Sequence, residues 1–351
     1  MPKTAYKPSL DSTARDFALD KTSISRFVPI APESIADGEA RNFSLYLYGD
    51  GRFVLYRRSE LPLAIEDLTR LKENGVDTLW ILSTDHKKYL RHLQSNLEKI
   101  LTDYRVPIQD RSKLLYEVSR DVMEDLFKDP DDPVNLTRVE SLAKDQMHFL
   151  EKEPLAFRSL LGLTCHHYYT FTHSVHVSII SSALALRQTI IDKENREKLA
   201  LAGLLHDLGK TLISTDILDK PGKLDQKEWI EIKNHPTNGR QLAKQGGVID
   251  RDILGAIEQH HEKYMGGGYP NGIGGNEINI LARYLTVADV FDAMTTKRAY
   301  DRRYSAYAAL DKMVRQMKNL FDPEILKVLI SLLGEPVMEG IGRKVESGGT
   351  L

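Results

Sequence analysis

Two different rhythms of apolar and polar residues divide this chain. In residues 43–58, aromatic and β-branched positions form two short runs, Phe43 to Tyr48 and Arg52 to Arg58, on either side of Gly49-Asp50-Gly51. Such runs around a Gly/Asp turn predict a β-hairpin. Ile65, Leu68 and Leu71 then fall at helical spacing, Asn74-Gly75 provides a stop, and Val76 to Leu82 predicts a further strand. Ser83, Thr84 or Asp85 can cap a helix running to about Leu101. After Arg111 the strand-like runs vanish and helical patterns dominate to about residue 333, with Pro130 and Pro133 separating the first two helices. The expected fold is therefore α+β overall. A small N-terminal α/β domain occupies residues 1–108, connecting helices 109–159, an all-α domain 160–339 and a Gly-rich tail 340–351.

A chain of 351 residues is long enough for two domains. Its 41% hydrophobic and 28% charged residues are ordinary for soluble globular protein and argue against extended disorder. A formal net charge of -2 supplies no field for gathering DNA, so any bound phosphate must be held by a local cluster. One cysteine, Cys165, excludes an internal disulfide and a cysteine-built zinc finger, fits a reducing compartment, and is read as an inert packed thiol. No apolar run approaches the roughly 20 residues that span a bilayer, and Met1-Pro2-Lys3-Thr4 lacks an apolar signal core. The expectation is a cytoplasmic protein without membrane insertion.

The chemistry concentrates where apolar helices carry polar residues inside them. In Leu199 to Lys210 an apolar run ends in His206-Asp207-Leu208-Gly209-Lys210; burying an imidazole and a carboxylate there demands compensation, which a metal ion supplies directly. His173 shares its helix face with Val177 and Ile180, and so points inward. Asp289 lies within the apolar helix Leu281 to Met294, with Asp292 one turn on as a contact for a ligand's neighbour or for substrate. His235 and the adjacent pair His260-His261 complete five imidazoles and two carboxylates, enough for two cations with positions left open for water and substrate. Such mixed nitrogen and oxygen ligation suits iron, manganese or zinc better than calcium. His166, His167 and His176 compete with these as ligands, His176 being disfavoured, while His86, His92 and His148 read as solvated. The loop Tyr264 to Gly272 follows the paired histidines. Its glycines allow close backbone approach and Tyr269 offers a stacking face, so the loop is expected to border the site.

With these residues in order, the chain resembles the HD-GYP phosphodiesterases of the HD superfamily over roughly residues 160–335. The motifs are Thr170-Phe171-Thr172-His173-Ser174, His206-Asp207-Leu208-Gly209-Lys210, Ile217 to Leu224, His235 with Gly239, His260-His261-Glu262, Gly268-Tyr269-Pro270, and Ala288 to Ala293. The resemblance implies that His173, His206, Asp207 and Asp289 gather one metal and that Asp207 bridges to a second held by His235, His260 and His261. Iron or manganese is favoured, with zinc, nickel and magnesium as alternatives. Tyr169 stands where some family members place a glutamate for a third metal, so a binuclear site is expected.

The resemblance also makes Asp207 and Lys210 catalytic. It places Lys210 and Arg298 on substrate phosphates, with Asp292 and Tyr269 as further substrate contacts. Two departures stand out: Arg298-Ala299-Tyr300-Asp301-Arg302 replaces a commoner Arg-Pro-Tyr-basic run, and Tyr264-Met265 a commoner aromatic-acidic pair. The implied activity is hydrolysis of cyclic di-GMP to linear pGpG, with GMP as the alternative end product. The implied partners are a diguanylate cyclase or adaptor at the Gly-Tyr-Pro loop and a second copy in a homodimer, with a regulatory role for the N-terminal unit. Competing readings are hydrolysis of another cyclic dinucleotide, a different HD-type nucleotide hydrolase, and a catalytically silent cyclic-dinucleotide sensor.

Overall fold

The protein is seen here in a computed structural model that describes residues 25–35, 42–61, 63–164, 169–296 and 304–334. Strands β1 (Phe27–Ile30), β2 (Leu45–Gly49), β3 (Arg52–Arg57) and β4 (Leu79–Leu82) form one sheet in the order β1-β4-β2-β3, with every pairing antiparallel. β2 and β3 are the expected hairpin. Its turn residues Asp50 and Gly51 have φ of 51° and 76°, the positive values that match a tight turn to the twist of its strands. The strand expected from Val76 begins only at Leu79. β1 is absent from the expectation because Pro29 interrupts its apolar run. Proline cannot donate to a ladder and is tolerated at a sheet edge, which is where β1 lies. Leu45, Leu79 and Ile81 are fully buried beneath the sheet, and on it Phe27 stacks on Phe53 with ring centroids 3.8 Å apart.

Helix α1 (Ile65–Glu73) connects β3 to β4, and α2 (His86–Ser95) and α3 (Leu97–Thr102) follow the sheet. The single helix expected to Leu101 is broken at Asn96, whose side-chain amide donates to the His92 carbonyl at 3.0 Å. Among the described residues twelve helices then follow: α4 (Ile108–Lys128), α5 (Pro133–Lys152), α6 (Ala156–Leu163), α7 (Thr170–Leu186), α8 (Lys193–Leu205), α9 (Thr215–Leu218), α10 (Gln226–Lys233), α11 (His235–Gln245), α12 (Arg251–Gln259), α13 (Ile280–Thr295), α14 (Ala306–Gln316) and α15 (Pro323–Gly334). As expected, α4 and α5 are divided at the prolines, Asp132 capping α5 by accepting from the Val134 N–H. Cys165, His166, His167, Arg298 and the tail from residue 340 lie outside the described residues.

Two arrangements position the site. First, α7 is buried on every side from Thr172 to Ala185, packed among α4, α8 and α13. Gly203 lets α8 lie close against it, since a Cβ there would meet the Ser178 Cα at 2.7 Å. Second, α4 is fastened to the N-terminal unit. The buried Arg111 donates to the carbonyls of Leu101 and Val106, and Asp125 pairs with Lys87 of α2 at 2.9 Å. One apolar cluster runs without interruption from Ile30 and Leu45 through α4 and α7 to Leu332.

Candidate metal centre

The ends and middles of five helices converge. His173 stands in α7, His206 and Asp207 follow α8, His235 opens α11, His260 and His261 follow α12, and Asp289 lies in α13. All but His261 and Asp289 are essentially sealed from solvent, and their ligand atoms fall into three overlapping triads: His173, His206 and Asp289; His206, Asp207 and His260; and His235, His260 and His261, each within 4.8 Å.

The rings are held by their Nδ1 atoms. His206 donates Nδ1–H to the Gly203 carbonyl at 2.8 Å, His235 to Ile232 at 2.7 Å and His260 to Ile257 at 2.7 Å. A carbonyl can only accept, so Nδ1 carries a proton, and in the neutral tautomer this leaves Nε2 as a lone pair free to meet a cation. Those lone pairs face one another and the carboxylates. Nε2 of His235 lies 3.2 Å from Nε2 of His260 and 3.2 Å from Asp207 Oδ1, and His206 Nε2 lies 3.4 Å from Asp207 Oδ2. The buried His206 Nε2 and Asp207 Oδ1 make no hydrogen bond. Nε2 of His173, whose Nδ1 donates to Asp292, is 3.0 Å from Asp289 Oδ1. Lone pairs converging on lone pairs in a dry interior are repulsive unless cations lie between them, and a donor set of imidazole and carboxylate without sulfur suits hard to borderline divalent ions. The residues present fit such a group.

Electrostatics agree with the geometry. Burial would raise the Asp207 carboxyl, but Lys210 and His206 outweigh it and hold the group well below the usual carboxylate range. Asp289 is likewise held low against burial, by His173 and then His261. Burial and the neighbouring imidazoles push His260 well below its ordinary value, and burial pushes His261 down to about 3 although Asp289 opposes it. The unfolded chain therefore takes up protons at these histidines near the ordinary value of about 6.5, and the folded chain only far lower. Stability then falls as pH drops through that interval. The depressed carboxylates contribute fully above their ordinary value, and their loss begins only below about 4. Chelator-treated protein is expected to melt at progressively lower temperature between about pH 7 and pH 4; thermal melts that stay flat or rise would contradict this.

Around the centre, Lys210 Nζ lies 2.6 Å from Asp207 Oδ2 on the single 3-10 turn Leu208–Leu212 that follows α8. Tyr269 stacks on His261 at 4.7 Å, and the Lys233 ammonium lies 5.7 Å from the ring centres of both Tyr269 and Trp229. Asp292 was expected as a contact for a ligand's neighbour or for substrate. It is buried, its Oδ2 accepting from His173 and its Oδ1 from His176 and Thr296, so both oxygens are taken up inside the protein. His176 faces Asp292 and Tyr116 rather than the triads. Arg298, expected on substrate phosphate, lies outside the described residues. A residue whose role sequence reasoning missed is Glu262. Buried at the root of the glycine loop, it accepts from the Asn271 and Gly272 N–H groups at 2.6 and 3.0 Å and so clamps the loop that carries Tyr269. The signal available was its place directly after the paired histidines and before a glycine-rich loop.

Known proteins bear on this arrangement. Residues 157–325 match the family model described as HD domain. The chain is 29% identical over 281 residues, 76% of its own length and 67% of the relative's, to the cyclic di-GMP phosphodiesterase PA4108 of Pseudomonas aeruginosa. It is 37% identical to 3'3'-cGAMP-specific phosphodiesterase 3 of Vibrio cholerae and 38% identical to the cyclic di-GMP phosphodiesterase response regulator RpfG of Xanthomonas campestris, covering 46% and 42% of this chain. Of those two relatives it spans 35% and 40% of the length. A solved HD-GYP-type protein of Bdellovibrio bacteriovorus, Bd1817, superposes with a TM-score of 0.62 over 88% of this chain and all of the other at 22% identity, which speaks to the fold. Among the described residues no helix is long and apolar enough to cross a membrane. The chain thus carries an HD domain over residues 157–325 and is similar across it to cyclic-dinucleotide phosphodiesterases.

Proposed function

We propose that the chain is a metal-dependent phosphodiesterase that opens cyclic di-GMP to linear pGpG. The observation that carries this reading is the convergence of imidazole Nε2 lone pairs and carboxylate oxygens at one buried point. His173, His206, Asp207 and Asp289 would hold one cation, with His235, His260, His261 and Asp207 holding a second; iron or manganese suits them best. When bound, such ions supply Lewis acidity toward a phosphoryl oxygen and acidify a water.

The remaining work falls to this chain's own residues. Main-chain carbonyls and Asp292 fix the ring orientations before substrate arrives. Lys210, partly exposed above Asp207, presents an ammonium to the charge that grows on the phosphate as the ester bond breaks. Tyr269, lying on His261, gives a flat aromatic wall for a nucleobase. The cis Tyr269-Pro270 loop bears the exposed Met265, the place on this reading where a diguanylate cyclase or adaptor would dock. The N-terminal unit, residues 1–108, is proposed as regulatory and the protein as cytoplasmic.

A second substrate has specific support, since a relative named for 3'3'-cGAMP matches at 37% identity. The test offers both dinucleotides to anaerobically purified protein of measured metal content. Linear product from cyclic di-GMP supports the reading, faster turnover of 3'3'-cGAMP reassigns the substrate, and binding without product from either makes the protein a sensor. In the active protein, Lys210→Met is expected to lower kcat about 10²- to 10³-fold while metal content stays unchanged; parallel loss of metal would assign Lys210 to holding Asp207 instead.

A further inference from the structure

Beyond the ligand triads, a second buried polar array connects three helices. Tyr116 of α4 donates its hydroxyl to His176 Nε2 at 2.8 Å, and the two rings stack at 5.8 Å. His176 donates Nδ1–H to Asp292 Oδ1 at 3.0 Å, and Asp292 Oδ2 accepts Nδ1–H from His173 at 2.7 Å. We propose that Tyr116 and His176 are positioning residues that act through Asp292 to set the orientation and donor strength of His173 toward a divalent cation. This rests on the metal-centre reading above.

The geometry favours that role over two alternatives. His176 cannot itself be a ligand in this arrangement, because both of its ring nitrogens are occupied and it is fully buried away from the triads. Nor is the array what plain packing calls for. A histidine and an aspartate sealed in a helical core cost desolvation that leucine or phenylalanine would not, and such groups persist when every member is satisfied and the arrangement fixes something. What is fixed here is a carboxylate. With Oδ1 tied to His176 and to the Thr296 hydroxyl at 2.7 Å, Asp292 cannot rotate away from His173. A ligand imidazole anchored by a carboxylate in this way is oriented and made more basic.

The outer end of the array gives it a wider meaning. Tyr116 belongs to α4, the helix that Arg111 and Asp125 fasten to α3 and α2 of the N-terminal unit. A shift of α4 against α7 would therefore be felt first at the Tyr116 hydroxyl, then at Asp292, and then at a cation ligand. No motif of the HD-GYP resemblance contains Tyr116 or assigns His176.

The full chain, stripped with chelator, is titrated with Co²⁺ and followed by its d–d absorption, alongside circular dichroism melts. His176→Leu is expected to weaken Co²⁺ binding by about 10- to 100-fold, the usual effect of removing an outer partner of a ligating imidazole. Tyr116→Phe, which removes one oxygen and keeps the ring, should weaken it by a smaller factor and shift the absorption band. His176→Asn, whose amide can take the place of Nδ1–H, should recover most of the loss. Titrations of Tyr116→Phe and His176→Leu that overlay wild type overturn the proposal. So does lowered melting with unchanged Co²⁺ affinity, which would make the array structural. If His176→Leu does not fold, the Tyr116→Phe and His176→Asn titrations decide. Wild type that takes no Co²⁺ overturns the metal-centre reading itself, a different result from equal binding by all forms.

Discussion

Asp207→Ala is expected to abolish metal loading and turnover together. Asp207 is the residue on which the array closes: its Oδ1 lies 3.2 Å from His235 Nε2, its Oδ2 3.4 Å from His206 Nε2, 3.7 Å from His173 Nε2 and 2.6 Å from the Lys210 ammonium. Removing it deletes the central negative charge that offsets bound cations and leaves the Nε2 lone pairs facing a small void. The fall in kcat should exceed the roughly 10²- to 10³-fold that follows loss of a single stabilising group. Metal analysis of the purified variant should show essentially no bound metal, with the circular dichroism spectrum unchanged. Asp207→Asn separates charge from shape, since it preserves the volume and should fail nearly as completely. An Asp207→Ala protein that turns over substrate without bound metal would end the metal-dependent reading.

Gly209→Ala is expected to be the most disruptive glycine-to-alanine exchange among the described residues. The turn after α8 meets the start of α11 so closely that a Cβ at Gly209 would lie 2.0 Å from the His235 carbonyl oxygen and 2.5 Å from the Gly239 nitrogen, both main-chain atoms that cannot rotate aside. Relief requires α11 to move outward by more than an atomic radius, carrying His235 with it. Overpacking of this kind costs about 3 kcal/mol or more, measurable by urea unfolding, and even the folded fraction should bind metal poorly because His235 is displaced. Gly162→Ala in α6, where a Cβ meets nothing within 4 Å, is the control and should be neutral or stabilising by up to about 1 kcal/mol. Equal stability of the two variants would show that α11 is not held where the structure places it.

What could be read beforehand follows from the range of the interactions. Local patterns were readable: the β2–β3 hairpin from its Gly/Asp turn, the division of α4 from α5 at Pro130 and Pro133, and an inward-facing His173 from Val177 and Ile180. β1 was not, because its apolar residues alternate around a proline and its only partner lies some fifty residues on. The break at Asn96 was hidden by helix-favouring neighbours on both sides. The polar surroundings of the site were harder still. Asp292 reads equally well as a substrate contact or as an anchor for a ligand, and nothing local in the sequence shows its 2.7 Å bond to His173, 119 residues away. Tyr116 and His176 are separated by 60 residues and nothing local marks them as partners. Glu262 was visible next to the paired histidines, but its clamp on Asn271 and Gly272 depends on the path of the loop.

Three of the ring nitrogens that fix tautomers in this centre lean on carbonyls of the preceding helical turn, those of Gly203, Ile232 and Ile257. Those fastenings come with the helix and survive almost any exchange of neighbouring side chains. His173 is different, moored to a side chain instead. Of these four rings three are rigidly fastened and one hangs on an adjustable mooring, so heritable variation in cation grip should concentrate around α7 and α13 rather than at the turns that hold His206, His235 and His260.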